Sequence, residues 1–278
     1  GEKSETPGDA DITIPVAAQT EYYRAIQLLQ QNAPDSAFNM LEYLADAYPE
    51  SYELRRDLAM CRLASRPEFY REEIKWHLTE ALRLRPDDAE VLLKLGKVLL
   101  QYRQWDEAES ALKLSYSLNS DDPRIYLYIS RLAKSRIAEL GFENTEEPMR
   151  RAVYLAPGYE AARLALSQLM VGQLKKLEAL HILNEGLVVD TTSKNILLSK
   201  AAVLIELNQT TEATLTCRKI LEKNPRHAGA LYNLGIALLW QDEFDQALDM
   251  LDSSWRNGGT VDNFYYKGVT YQQKGDWE

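Results

Sequence analysis

Reactive side chains are scarce in this chain. Its 278 residues include two cysteines and three histidines. Cys61 and Cys217 lie far apart in the sequence and read as small buried side chains rather than as a disulfide. His77, His181 and His227 have no His or Cys at metal-ligand spacing, and no CxxC, HExxH, GxSxG or GxxxxGK[ST] motif occurs. The expectation is therefore no catalytic residue, no metal, no cofactor and no enzyme. Apolar runs are short too, and nothing approaches the ~18 consecutive apolar residues of a membrane span. Cations are outnumbered: 32 Lys and Arg face 42 Asp and Glu, a net charge of −10. That balance argues against nucleic acid as the main partner, because phosphate binding needs clustered Lys and Arg.

The acidity is uneven. Residues 1–50 carry a net −7 and residues 240–278 a net −5, leaving the middle at +2. Residues 1–17, GEKSETPGDADITIPVA, read as a polar tether. The stretch from Asp11 to Val16 alternates polar and apolar residues, which suits a half-buried extended segment docking on the rest of the protein.

What the chain does have is a period. A small residue recurs at Ala25, Ala59, Gly96, Ser130, Ser167, Ala201, Gly235 and Gly268, at intervals of 34, 37, 37, 34, 34, 34 and 33 residues. A second ladder, Ala37, Ala108, Ala179, Ala213 and Ala247, follows 12 residues behind the first. Such periodicity is the signature of a repeat array in which each unit is stacked on its neighbours. Within residues 89–120, Leu92, Leu95, Leu99 and Leu100 form one helical stripe. Gly96 interrupts it at a cost of ~1 kcal/mol relative to Ala, which implies the close approach of a second helix. Asp106 and Glu107 then open that helix, where acids suit the N-terminal dipole, and Ala108, Ala111, Leu112 and Leu114 give it an inner face. Residues 228–258 repeat the pattern. Pro49, Pro86, Pro157 and Pro225 are expected to close units and start the next helix. Gly172 and Asn208 are expected to shape turns between paired helices.

The pattern resembles the tetratricopeptide repeat (TPR), a helix–turn–helix unit of 34 residues. The resemblance is strongest at Leu92-x2-Leu95-Gly96-x2-Leu99 with Ala108-x3-Leu112, and at Leu231-x2-Leu234-Gly235-x2-Leu238 with Ala247-x3-Leu251; Phe264-x3-Gly268-x2-Tyr271 makes a half unit. It implies an all-α, right-handed α–α superhelix (solenoid) of seven and a half TPR repeats over residues 18–278, after the tether of residues 1–17. The units at 52–88 and 123–159 each carry three extra residues, expected to lengthen the turns at Ser65–Glu68 and Gly141–Asn144.

In TPR proteins the first helix of each unit lines the concave face. Carried over residue by residue, the N-terminal half offers charge (Arg56, Asp57, Lys94, Lys97, Arg124, Arg131, Lys134) and the C-terminal half an apolar and aromatic stripe. The expected partner-binding residues are Lys97, Arg124, Arg131, Asn195, Leu198, Tyr232, Asn233, Ile236, Trp240 and Tyr265, with Asn195 and Asn233 as candidates for a partner's backbone amides. The Lys and Asn pattern by which some members clamp a partner's terminal carboxylate is absent from Arg56, Leu93, Leu127, Leu164, Leu198, Tyr232 and Tyr265.

The resemblance implies a non-enzymatic scaffold that binds a protein or peptide segment with acidic and apolar parts. Two alternatives stand beside it. One is an envelope lipoprotein that assists assembly of pili, outer-membrane proteins or a polysaccharide exporter, because the missing initiator Met and the polar tether fit a chain cut after a lipidated residue; a bacterial periplasmic location goes with it. The other is an accessory TPR segment of a larger enzyme or regulator. Trp240, Tyr265, Tyr266 and Trp277 also point to self-association through the C-terminal end.

Overall fold

The computed structural model describes residues 14–275, with the backbone alone of Lys134. Within them every regular element is an α-helix, and within each unit most consecutive helices pack on one another in tandem. The chain divides into two units, residues 1–145 and 146–278. Unit 1 contains α1 (Val16–Gln30), α2 (Pro34–Ala47), α3 (Tyr52–Ala64), α4 (Arg71–Leu84), α5 (Ala89–Gln101), α6 (Trp105–Leu118), α7 (Pro123–Ile129) and α8 (Lys134–Glu139). Unit 2 contains α9 (Glu146–Leu155), α10 (Glu160–Gly172), α11 (Lys176–Val189), α12 (Lys194–Glu206), α13 (Thr210–Lys223), α14 (Ala228–Leu239), α15 (Phe244–Arg256) and α16 (Asp262–Lys274). Each unit thus has three complete pairs. In each, the second helix of a pair also packs on the first helix of the next, as α4 does on α5 and α13 on α14.

The small-residue ladder marks the closest approach within a pair. A Cβ added to Gly96 would stand 2.7 Å from the Leu112 side chain, and one added to Gly235 would stand 2.8 Å from Leu251. Between the two helices of regular pairs, Asn32, Arg103, Leu174, Asn208 and Asp242 adopt positive φ near 60°, and Gly275 has a φ of 83° after α16. Each of the first five is followed by a residue whose N–H reaches back five positions, for example Gln104 to Leu99 O at 3.0 Å and Gln209 to Leu204 O at 2.8 Å. This is the Schellman arrangement, which satisfies carbonyls left over at a helix C-terminus. Asn208 shapes its turn as expected. Gly172 does not; it ends α10, and the left-handed residue is Leu174.

The prolines also sit differently. Pro49, Pro86, Pro157 and Pro225 lie in the connectors, three residues ahead of α3, α5, α10 and α14, while Pro34 and Pro123 occupy first turns. The helix starts are capped instead by side chains: Asp88 accepts from Val91 N at 2.9 Å, Ser193 from Ile196 N at 3.2 Å and His227 from Ala230 N at 3.1 Å.

The extra residues of unit 52–88 lengthen its turn, which runs over 65–70. Those of unit 123–159 have a second effect. Its first helix stops at Ile129, where Ser130 Oγ bonds back to Leu127 O at 2.7 Å, and resumes as short α8 before the turn at 140–145. A hydroxyl bonded to its own preceding turn competes with helix continuation. The bend lets Ile137 bury fully and brings Phe142 within 6.0 Å of both Tyr116 and Tyr126. At the other end of unit 1, Ile14 is buried in the cluster formed by α1, α2 and α3. Val16 opens α1 and is 82% exposed, and residues 11–13 of the expected docking segment lie outside the described residues, as does Trp277.

Candidate partner-binding site

The first helices of unit 1 enclose a cleft of about 410 Å³. Met60 and Leu63 of α3, Leu93 of α5 and Tyr128 of α7 supply its apolar surface, and Pro67 on the lengthened 65–70 turn closes one side. That turn is held by Tyr102, whose hydroxyl donates to Pro67 O at 3.2 Å and whose ring lies 4.6 Å below the Arg71 guanidinium. Glu90, Lys94, Lys97 and Arg124 bring the charge. Lys94 Nζ lies 2.7 Å from Glu90, one turn away on the same helix, and Arg124 forks over both Glu90 and Asp122, the latter at 2.6 Å. Burial opposes ionisation of Glu90, but the hydrogen bonds from Arg124 and Lys94 outweigh it and hold its carboxyl below the usual range. Lys97, one turn beyond Lys94, is exposed and has no ion pair or hydrogen bond among the described residues.

Of the other charged positions, Arg56 and Asp57 are spent within the fold. Arg56 donates to Asp57 at 2.7 Å, and the buried Tyr22 hydroxyl donates to the same carboxylate at 2.7 Å. Burial and the Asp57 charge together push the Tyr22 hydroxyl up. Tyr52 donates to Asp88 across the next step. With Glu90 and Arg124 these form a ladder whose rungs join first helices 34 to 36 residues apart. Arg131 lies outside the cleft, exposed, with its guanidinium 5.7 Å from the Tyr128 ring.

Unit 2 has bonds of the same kind within itself. Asn195 donates to Glu160 Oε1 at 2.7 Å, and Asn233 donates to Leu198 O at 3.3 Å while only 8% exposed. Ile236 is buried and Leu198 packs on the cluster of Leu197, Ile220 and Ala230. The outward members are aromatic. Tyr265 is 67% exposed and Trp240 45% exposed. Tyr265 meets Tyr266 edge-on at 5.1 Å, and Tyr266 meets Tyr232 at 5.7 Å. Burial leads the rise of the Tyr232 hydroxyl to about 12.

The structure therefore brings Lys97 and Arg124 to one cleft, and Tyr232 and Tyr265 to one aromatic cluster. Met60, Leu63, Pro67 and Tyr128 were not anticipated. The three-residue insertion was the available signal, since extra residues at a turn must project somewhere. No group of three or more His, Cys, Asp or Glu among the described residues is placed to hold a metal, and no described helix is long and apolar enough to cross a membrane.

The family profile described as tetratricopeptide repeat matches residues 77–132 and 204–259. These two segments are tetratricopeptide repeats. The TPR chain is similar to a tetratricopeptide repeat protein from Parabacteroides merdae, with a TM-score of 0.65 at 14% identity over 92% of this chain and 99% of that one. YrrB, described as a TPR protein with an unusual peptide-binding site, matches with a TM-score of 0.51 at 17% identity over 71% of this chain and 97% of that one. At these identities the likeness is one of fold. Human protein O-mannosyl-transferase TMTC3 is 24% identical over 182 residues, 61% of this chain and 20% of that protein. The TPR chain thus matches about a fifth of the length of its curated relative.

Proposed function

We propose that this protein is a scaffold that holds a segment of another protein against the first helices of unit 1. One observation carries the reading: a cleft of about 410 Å³ joins an apolar surface to the uncommitted cation Lys97. Small concave sites with an apolar lining and few polar groups are the usual form of ligand pockets. The exposed Tyr265, backed by the half-buried Tyr266 and Tyr232 of unit 2, supports a second contact, because Tyr and Trp recur at binding hot spots. A displayed library of random dodecapeptides, panned over the wild-type chain and over Ala64→Trp, tests the placement. Ala64 is exposed at the cleft margin, so the bulky ring fills the cleft without entering the core. Peptides enriched on the wild type and lost on the variant support the reading. No enrichment, or enrichment indifferent to the variant, overturns it.

A second reading is favoured by the similarity to TMTC3, in which the matched region is one part of a much longer protein. Here the array serves as the accessory segment of a larger enzyme or regulator. An antibody against residues 18–275 would detect the endogenous polypeptide. A band far above 31.8 kDa supports this reading, and a band at that mass overturns it.

A further inference from the structure

The scaffold reading leaves open what the cleft recognises, and the inference below rests on that reading. The five cations that the N-terminal half offers as concave-face residues, leaving aside Lys134, are not equivalent once folded. Arg56 is held by Asp57, Lys94 by Glu90, and Arg124 by Glu90 and Asp122. Arg131 lies outside the cleft. Lys97 alone lines the cleft and is free of a partner among the described residues. The local charge balance is then one unmatched positive charge beside an apolar surface.

We infer that the cleft takes an extended peptide segment in which one Asp or Glu side chain stands next to a bulky apolar residue, the carboxylate meeting Lys97 and the apolar side chain seating between Leu93, Leu63 and Pro67. A single carboxylate matches the single free cation. A phosphate would bring nearly two negative charges to one unpaired ammonium. A basic ligand has no carboxylate to meet, because Glu90 is already engaged by two cations. The volume accommodates a large side chain with adjoining backbone, well below what a folded domain would need. Met60 adds an unbranched, adaptable surface that tolerates several apolar shapes.

The test starts from peptides enriched on the wild type in a library fused through its C-terminus, so that every carboxylate is a side chain. These are resynthesised with amidated ends and titrated by fluorescence anisotropy against wild type, Lys97→Gln and Lys97→Arg. The expected peptides carry Asp or Glu beside Leu, Ile, Phe or Trp. Changing that acid to its amide should raise Kd about tenfold on the wild type, by less than about twofold on Lys97→Gln, and about tenfold again on Lys97→Arg. Lys97 is exposed, so both variants should keep the wild-type circular dichroism spectrum and melting temperature. Enriched peptides that lack an acid, or an acid preference that survives Lys97→Gln, overturn the inference while leaving the scaffold standing. A library that yields no enriched peptide overturns both.

Discussion

Leu174 sits where the regular turn between paired helices demands a left-handed backbone, and it is 83% exposed. A Cβ is strained there, and Asn, as found at Asn32 and Asn208, tolerates the strain better than Leu because its short polar side chain can hydrogen-bond to nearby backbone. Leu174→Asn should therefore raise stability by about 0.5–1 kcal/mol, read as a higher urea midpoint at unchanged m-value; an unchanged or lower midpoint contradicts the strain argument. His77 gives a pH prediction. It is 5% exposed, its Nδ1 has no partner, and burial, followed by Arg55 and Arg62, lowers its pKa from 6.5 to about 4. The folded state holds it neutral while the unfolded chain protonates near 6.5, so stability falls as pH drops from 6.5 towards 4. The slope is at most ~1.4 kcal/mol per pH unit, for a loss of about 2–3 kcal/mol. His77→Leu should remove that component, and parallel pH–stability curves for wild type and variant would rule it out.

The same register position behaves differently according to the helix opposite it. Gly235→Ala would drive a Cβ to 2.8 Å from Leu251 and 3.2 Å from Ala247 O, a backbone atom that cannot swing aside. The expected cost is about 1–3 kcal/mol. Gly268 occupies the equivalent place on α16 with nothing within 4 Å, so Gly268→Ala should be neutral or stabilise by up to ~1 kcal/mol through helix propensity. Thermal melts of the two variants check the contrast, and equal effects would show that packing does not govern this position. The glycine ladder was legible in the sequence because close helix approach constrains each unit in the same way. The broken first helix of unit 123–159 was not legible. The break goes with the burial of Ile137 and the packing of Phe142 against Tyr116 and Tyr126, contacts that no local pattern announces.

At the scale of the whole molecule, and among the described residues, the stretch from Ser130 to Thr145 is the weakest candidate for independent order. It holds only α8, six residues long, and a helix that short is marginal without tertiary packing. Limited trypsin digestion should cut first after Arg131, giving two fragments near the boundary of the two units. Each unit has three complete helix pairs, enough for a repeat array to bury a continuous core, so both fragments should keep their helical circular dichroism. Early cleavage elsewhere, or loss of helix in either fragment, would contradict this.

The sequence by itself determined the repeat, its register and its paired helices, because each of these follows from spacing that neighbouring residues impose on one another. Only the tertiary structure decided which polar side chains are engaged within the fold and which stay free. Asn195 and Asn233 are spent on Glu160 and Leu198 O, Arg56 on Asp57, and Arg124 on Glu90, while Lys97 stays free. The Asn195, Asn233 and Arg124 bonds cross 34 or 35 residues of chain, and Arg56 meets an Asp57 that Tyr22 holds from 35 residues away. A charge in a helix reads the same whether or not such a neighbour exists. Its availability is settled when successive first helices come together.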